Sequence, residues 1–253
     1  AGTNLLYTNM LRPIPGWNTS IFDNGIYKNS ILTGVGCGTN SKSIGWYTKK
    51  VYNKILNKNF THSTRDDKAK EIVEYCGGKA INTGCVTLWR FNKDFCKNIP
   101  KIKSESVVFT LTFYTKDEKN DKALIELLQH EYKNVYFWPQ CIGDLDYFNS
   151  MLIKDNKVSI IAPNLSSYKS FLLETNTDYV GSRLHGGVYS MHHFRRSIIL
   201  EIDYRVREMK KTYNLPSVPR NDISSIKKMI NSEFHTDIII DDKKISEWKS
   251  QFK

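Results

Sequence analysis

The sequence predicts an α/β protein built on parallel sheet, and three observations carry that reading. Short apolar runs of strand length alternate with helix-period segments along most of the chain. Apolar residues make up 40% and charged residues 25% of the 253 positions, a balance that folds rather than stays disordered. No apolar run approaches the ~20 residues that span a bilayer, and the longest, around Val107–Tyr114, is strand-sized.

The elements can be justified in order. Ser30–Val35 reads as a buried strand that runs into the glycine loop Gly34–Asn40. A helix is expected over Ser43–Asn57, with Ile44, Tyr47, Val51 and Ile55 on one face and Lys42, Lys49, Lys50, Lys54 and Lys58 on the other. Phe60–Ser63 is a short strand. Thr64 or Asp66 can then cap a helix that ends at Cys76, with Gly77-Gly78 as its stop. Phe95–Ser106, holding Pro100 and little periodicity, reads as a linker, which sets the domains at 1–100 and 101–253.

A second βα series follows the linker. Its expected strands are Val107–Tyr114, Val135–Trp138, Val158–Ile161, Asp178–Gly181 and Ser197–Glu201. Helices are expected near Glu118–Glu131, Asp144–Leu152, Ser166–Leu173 and His185–His193, which gives a doubly wound sheet with right-handed crossovers. Asp222–Ser232 and Asp241–Phe252 also read as helices, the last expected to pack back across the first domain.

Charge and cysteines bound the class. The formal net charge is +11, and residues 1–100 hold 14 basic against 6 acidic side chains. A Lys-rich field of this kind suits phosphates or anionic surfaces, yet no nucleic-acid motif accompanies it. Cys37, Cys76, Cys85, Cys96 and Cys141 form no CxxC pair and no zinc spacing, so they read as reduced thiols of a cytosolic protein. The sequons at Asn18, Asn59 and Asn164 are read as incidental. Position 1 is Ala rather than Met, which suggests a trimmed or internal start.

Ligands of doubly wound sheets bind beyond the carboxyl ends of the strands. That rule directs attention to Gly181-Ser182-Arg183-Leu184-His185-Gly186-Gly187-Val188. Gly186 and Gly187, lacking Cβ, would let backbone N–H groups at a helix start approach an anion. Arg183 offers a planar fork for carboxylate or phosphate, and His185 a proton near neutral pH.

This segment, followed by Ser197–Asp203 and Tyr204-Arg205-Val206-Arg207, resembles the signature of the polysaccharide pyruvyl transferase family. Other segments fit in order: Gly34–Asn40, Ser63-Thr64-Arg65-Asp66, Thr83–Trp89, and Pro139-Gln140 with Asp144 and Tyr147. The resemblance spans about Ile31 to Leu215. The Asn-Gly-Asp loop that follows the first strand in family members is reduced here to Gly2-Thr3-Asn4, and the strand before that loop would lie upstream of Ala1. Arg207 stands where the family often has Lys.

The resemblance implies transfer of pyruvate from phosphoenolpyruvate onto a sugar of a cell-surface polysaccharide, forming a cyclic ketal. It implies two Rossmann-like domains with a cleft between them, GT-B-like. Arg183, Arg207, Ser182, Gly186 and Gly187 would hold the donor, with His185 as general acid and Asp144 as the base. Gly36, Gly38, Asn40, Arg65 and Gln140 would lie on the acceptor side, with a plain turn at the glycines and local pairing of Arg65 with Asp66 or Asp67 as the alternatives. No metal or redox cofactor is called for. The acceptor would be a lipid-linked oligosaccharide at the inner face of the cytoplasmic membrane, where the Lys face could meet anionic lipid.

The competing readings are a GT-B-type glycosyltransferase using a nucleotide-sugar and a non-enzymatic polyanion binder. His192-His193 with Arg195-Arg196 reads as helix-end cations. Trp46, Trp89 and Trp138 read as core, and His62, His130 and His235 have no neighbours that suggest chemistry.

Overall fold

The computed structural model describes residues 4–11, 17–22, 24–38, 43–153 and 157–253, leaving aside the side chains of Asn24, Tyr204 and Arg205. The chain divides into two compact units, Ala1–Asn92 with Ile240–Lys253, and Lys93–Ile239. This division falls just before the expected linker, because Lys93–Lys97 is helical and belongs to the second unit.

The first unit contains β1 (Asn4–Leu6), α1 (Asn24–Tyr27), β2 (Gly36–Cys37), α2 (Trp46–Ile55), β3 (Thr61–Thr64), α3 (Asp67–Tyr75) and β4 (Lys79–Asn82). The pairs β1–β2 and β3–β4 are both parallel. Single parallel bridges at Ser30–Leu56 and Val35–Thr64 continue the pairing. One expectation is corrected here. The residues read as strand, Ser30–Val35, hold only bridges at their ends, and the strand proper is Gly36–Cys37, inside the expected loop.

α2 forms because its inward residues Thr48, Val51, Tyr52 and Ile55 recur at helical spacing and bury against Leu6, Leu32 and Val35. α3 starts where Asp66 accepts a hydrogen bond from Ala69 N (2.7 Å), the capping that the sequence suggests. Asp66 also accepts from Cys37 N (3.1 Å), fastening β2 to the same helix start. His62 is fully buried between Leu32 N, which donates to Nδ1 (3.1 Å), and the Asn57 carbonyl (2.9 Å from Nε2). Burial lowers its pKa, so it is a neutral structural histidine. The C-terminal helix, Asp242–Ser250, docks on β3. Trp248 Nε1 donates to the Thr61 carbonyl (2.7 Å), and Gln251 accepts from Thr61 N (2.8 Å).

The second unit contains α4 (Lys93–Lys97), β5 (Ser106–Thr110), α5 (Glu118–Glu131), β6 (Asn134–Phe137), α6 (Ile142–Ser150), β7 (Val158–Ile160), α7 (Leu165–Glu174), β8 (Asp178–Gly181), α8 (Leu184–His192), β9 (Ser197–Glu201), α9 (Tyr204–Tyr213), β10 (Ser217–Pro219) and α10 (Ile223–Asn231). Its six strands are all parallel in the order β10-β9-β8-β5-β6-β7. Read from β5, this is the doubly wound order, and strand direction of assembly reverses between β5 and β8. One strand more is present than expected, and the long run Val107–Tyr114 stops pairing at Thr110 and turns through a 3-10 segment, Phe113–Thr115.

Packing on the sheet centres on Phe109, Phe137 and Phe148, with Val107, Val180, Ile198 and Leu200 in adjacent strands. At the amino end of the sheet Arg196 is fully buried. Its guanidinium donates to Asp178 (2.8 Å), to the Lys101 carbonyl (3.2 Å) and to the carbonyls of Met229, Ile230 and Ser232 at the end of α10. The guanidinium thus satisfies the last carbonyls of a helix and a buried carboxylate together. Arg196→Met leaves Asp178 buried without its cation, and we expect it to cost about 3–5 kcal/mol, read as a fall in the urea midpoint. An unchanged midpoint would contradict this role.

Candidate active site

The reversal point between β5 and β8 is where a doubly wound sheet opens a crevice at its carboxyl end. Arg183 lies there, directly after β8 and as the N-cap of α8. Its peptide is held by a closed ring of hydrogen bonds. Arg183 N donates to Thr110 Oγ1 (3.2 Å), Thr110 Oγ1 lies 2.6 Å from Tyr179 OH, and Tyr179 OH donates to the Arg183 carbonyl (2.7 Å). Because the Tyr179 hydroxyl has a single proton, Thr110 must donate to it. Burial pushes the Tyr179 phenol well up, so it stays protonated in this ring.

The glycines around Arg183 serve that ring. A Cβ at Gly187 would lie 2.8 Å from the ring carbons of Tyr179 and from Ile199 Cγ1, and one at Gly186 would lie 3.0 Å from Tyr179 OH. They let α8 settle onto β8 and β9. Their N–H groups are also spent, since Gly186 N (2.9 Å) and Gly187 N (3.2 Å) both donate to the Arg183 carbonyl. The expectation that these two N–H groups meet an anion is therefore corrected: they close the first turn of the helix.

The Arg183 side chain is clasped as firmly. Nη2 donates to both oxygens of Asp144 (2.6 and 2.7 Å), Nε to the Leu111 carbonyl (3.2 Å) and Nη1 to Tyr114 OH (3.2 Å). The guanidinium carbon sits 4.9 Å from the centre of the Tyr114 ring. Asp144 is 0% exposed and takes two further donors, Phe113 N and Gln140 N, each at 3.1 Å. A carboxylate with four donors and no exposure has no lone pair turned to a substrate hydroxyl. Asp144 is thus a holder of Arg183 in this structure, not the open base that was expected.

The other expected residues fall in several places. Ser182 is buried, with its hydroxyl 2.7 Å from Thr112 Oγ1. Gln140 lies with the Arg183 group, close to Gly186, rather than with the first-unit residues. His185 is exposed at the second position of α8, and Arg207 is exposed in the first turns of α9, which also begins at the carboxyl end of the sheet.

In the first unit Arg65 lies over the Gly36 backbone and donates to the Asn4 side chain, while Asp66 and Asp67 bond elsewhere. Tyr7 covers Gly38. Asn40 lies outside the described residues. Trp46, expected in the core, is 67% exposed, whereas Trp138 is buried and stacked on Tyr168.

Four residues that sequence reasoning did not single out surround this segment: Thr110, Tyr114 and Tyr179 hold Arg183, and Thr112 holds Ser182. The polar Thr110 and Thr112 inside an otherwise apolar run were the available signal. Among the described residues no group of three or more His, Cys, Asp or Glu could hold a metal ion.

The clasp makes a stability prediction. Asp144→Asn removes a charged acceptor from a buried guanidinium, and should lower unfolding free energy by about 1.5–3 kcal/mol in urea titration. Arg183→Lys should lose a similar amount, because one ammonium cannot fill a fork with three separate acceptors. Wild-type stability in both variants would show that the clasp is not formed.

No curated protein and no solved structure matches the chain. The family model for polysaccharide pyruvyl transferase matches residues 8–204, which takes in β5, β8, Asp144 and the whole Arg183 ring and leaves Arg207 just past its end. That match covers well over half of the sequence, and the chain belongs to the polysaccharide pyruvyl transferase family.

Proposed function

We propose that this transferase moves the pyruvyl group of phosphoenolpyruvate onto two hydroxyls of one sugar in a lipid-linked polysaccharide repeat. The observation that carries the reading is the orientation of Arg183 at the reversal point of the doubly wound sheet, within the family-matched region. One N–H of Nη1 is left beyond those used by Asp144, Leu111 and Tyr114, and it lies on the side of the exposed Tyr114 hydroxyl. A donor phosphate or carboxylate oxygen can bond there. Asp144 offsets the charge of Arg183, so the arginine contributes direction more than net attraction.

The reaction sets the remaining roles. A proton added to the methylene carbon of phosphoenolpyruvate makes the adjacent carbon electrophilic, and His185 on the exposed first turn of α8 supplies it. One sugar hydroxyl attacks that carbon, the carbon–oxygen bond to phosphate breaks, and the second hydroxyl closes the ketal. The two hydroxyl protons leave, one restoring His185 and the other passing to solvent or phosphate. Each step is a proton transfer or a displacement at carbon, and none is a redox change. Arg207 adds positive charge on the neighbouring helix for the phosphate. In this reading the second unit binds the donor and the first supplies the acceptor side, as in GT-B-like enzymes, with Arg65 over Gly36 and Tyr7 over Gly38 as the side chains it offers.

Purified protein with phosphoenolpyruvate and a lipid-linked repeat should release phosphate only when the acceptor is present. His185→Ala should lower kcat about 10²–10⁴-fold, the range for losing a general acid. Full activity in that variant would remove His185 from the mechanism, and acceptor-independent release would remove the transfer itself.

A further inference from the structure

The basic charge of the first unit is more concentrated than the domain totals convey. Residues 1–65 hold eight basic side chains and a single acidic one, Asp23. Three of the basic residues, Lys49, Lys50 and Lys54, stand exposed on α2, a helix that contains no acidic residue.

Exposed aromatic rings are interleaved with these lysines. Trp46, 67% exposed, opens the helix, and Lys50 Nζ lies 5.0 Å from its ring centre. Tyr75 at the end of α3 is 51% exposed, with Lys49 Nζ 4.7 Å from its ring. Leu11, also exposed, is brought beside the start of α2 by the bond from Met10 N to Thr48 Oγ1 (2.9 Å). Lys58 is not part of this face. Its ammonium donates to the Cys76 carbonyl (3.1 Å) at the end of α3, and burial lowers its pKa. Lys42 lies outside the described residues.

The Trp46 indole packs edge-on to Tyr47 and beneath Lys50, and two-thirds of its surface still faces water. Indole and phenol rings flanked by lysine ammoniums are matched to the boundary between lipid headgroups and acyl chains. We infer that the outer face of α2, with Trp46 and Tyr75 as apolar anchors and Lys49, Lys50 and Lys54 as the cationic rim, docks on an anionic phospholipid surface. Charge complementarity selects this occupant. Each lysine near such a surface adds attraction, and the rings add apolar contact with the acyl chains; a nucleic acid, whose bases also stack on aromatic rings, is the alternative occupant that the test separates. No helix among the described residues is long and apolar enough to cross a membrane. The inference rests on the proposed lipid-linked acceptor only for its purpose, since vesicle binding is measured without donor or acceptor.

The test is tryptophan emission and co-sedimentation with vesicles of phosphatidylcholine alone or phosphatidylcholine mixed with phosphatidylglycerol. Anionic vesicles should sediment the protein and blue-shift its emission, and Trp46→Phe should remove most of the shift, because Trp17, Trp138 and Trp248 are already buried and Trp89 is half-buried, packed on Trp248 and bonded to the Thr83 carbonyl. Replacing Lys49, Lys50 and Lys54 by Gln should weaken partitioning by roughly fivefold per residue, and added salt should do the same to wild type. Equal binding to neutral vesicles, or undiminished binding by the triple variant with an unchanged circular dichroism spectrum, would overturn the proposal. So would tight binding to double-stranded DNA with no emission shift on vesicles, which would make the face a general polyanion surface. Phosphate release from phosphoenolpyruvate in detergent is unaffected by these changes if only the docking inference fails.

Discussion

The arrangement at the carboxyl end of the larger sheet depends on how Arg183 is held. Its peptide sits in a ring with Thr110 and Tyr179, and its guanidinium is shared among Asp144, Leu111 and Tyr114. These partners come from β5, β8, α6 and the turn after β5, so a single side chain ties together the elements on both sides of the reversal point. An arginine that has lost its rotational freedom in advance can present an N–H at a fixed place without paying for order when substrate arrives. The small residues around it follow from the same demand, since Gly186 and Gly187 leave room for the Tyr179 ring on which the clasp depends.

Arg196 and Arg183, each paired with a buried aspartate, stand at opposite ends of this sheet and show how one residue type takes different work. Arg196 is wholly enclosed at the amino end, and its donors are divided between Asp178 and backbone carbonyls. Nothing of it reaches solvent. Arg183, at the carboxyl end, keeps one edge beside the exposed Tyr114. The first fastens a helix to the sheet, and the second can fasten a helix and still meet a small anion.

Much of this fold is legible in the sequence where local pattern and burial agree. β8, β9 and α5 lie where the residues indicate. β9 is an apolar run and β8 centres on Tyr179-Val180, both buried on both faces, and α5 has the Asp117 cap and repeating leucines. β4 and β10 escape notice for physical reasons. Lys79–Asn82 is only half-buried and has no alternation, and Ser217–Pro219 is an edge strand next to Pro216, where proline costs no ladder bond. α9 is too polar along most of its length to show an apolar face. Arg183 itself could be found from its Arg-Leu-His context. Its partners could not, because Asp144 lies 39 residues away and Thr110 73, and only the sheet order brings them together. For the same reason Asp144 looks in the sequence like a free carboxylate, and in the fold it is spoken for.

The central claim is that the fixed edge of Arg183 receives the donor. Diffraction from crystals soaked in phosphoenolpyruvate tests it most directly. The account predicts density for the donor beyond the carboxyl ends of β5 and β8, with a phosphate or carboxylate oxygen within about 3 Å of Arg183 Nη1 and the methylene carbon facing His185. Ordered donor bound away from Arg183, with the Asp144, Leu111 and Tyr114 clasp unchanged, would contradict it.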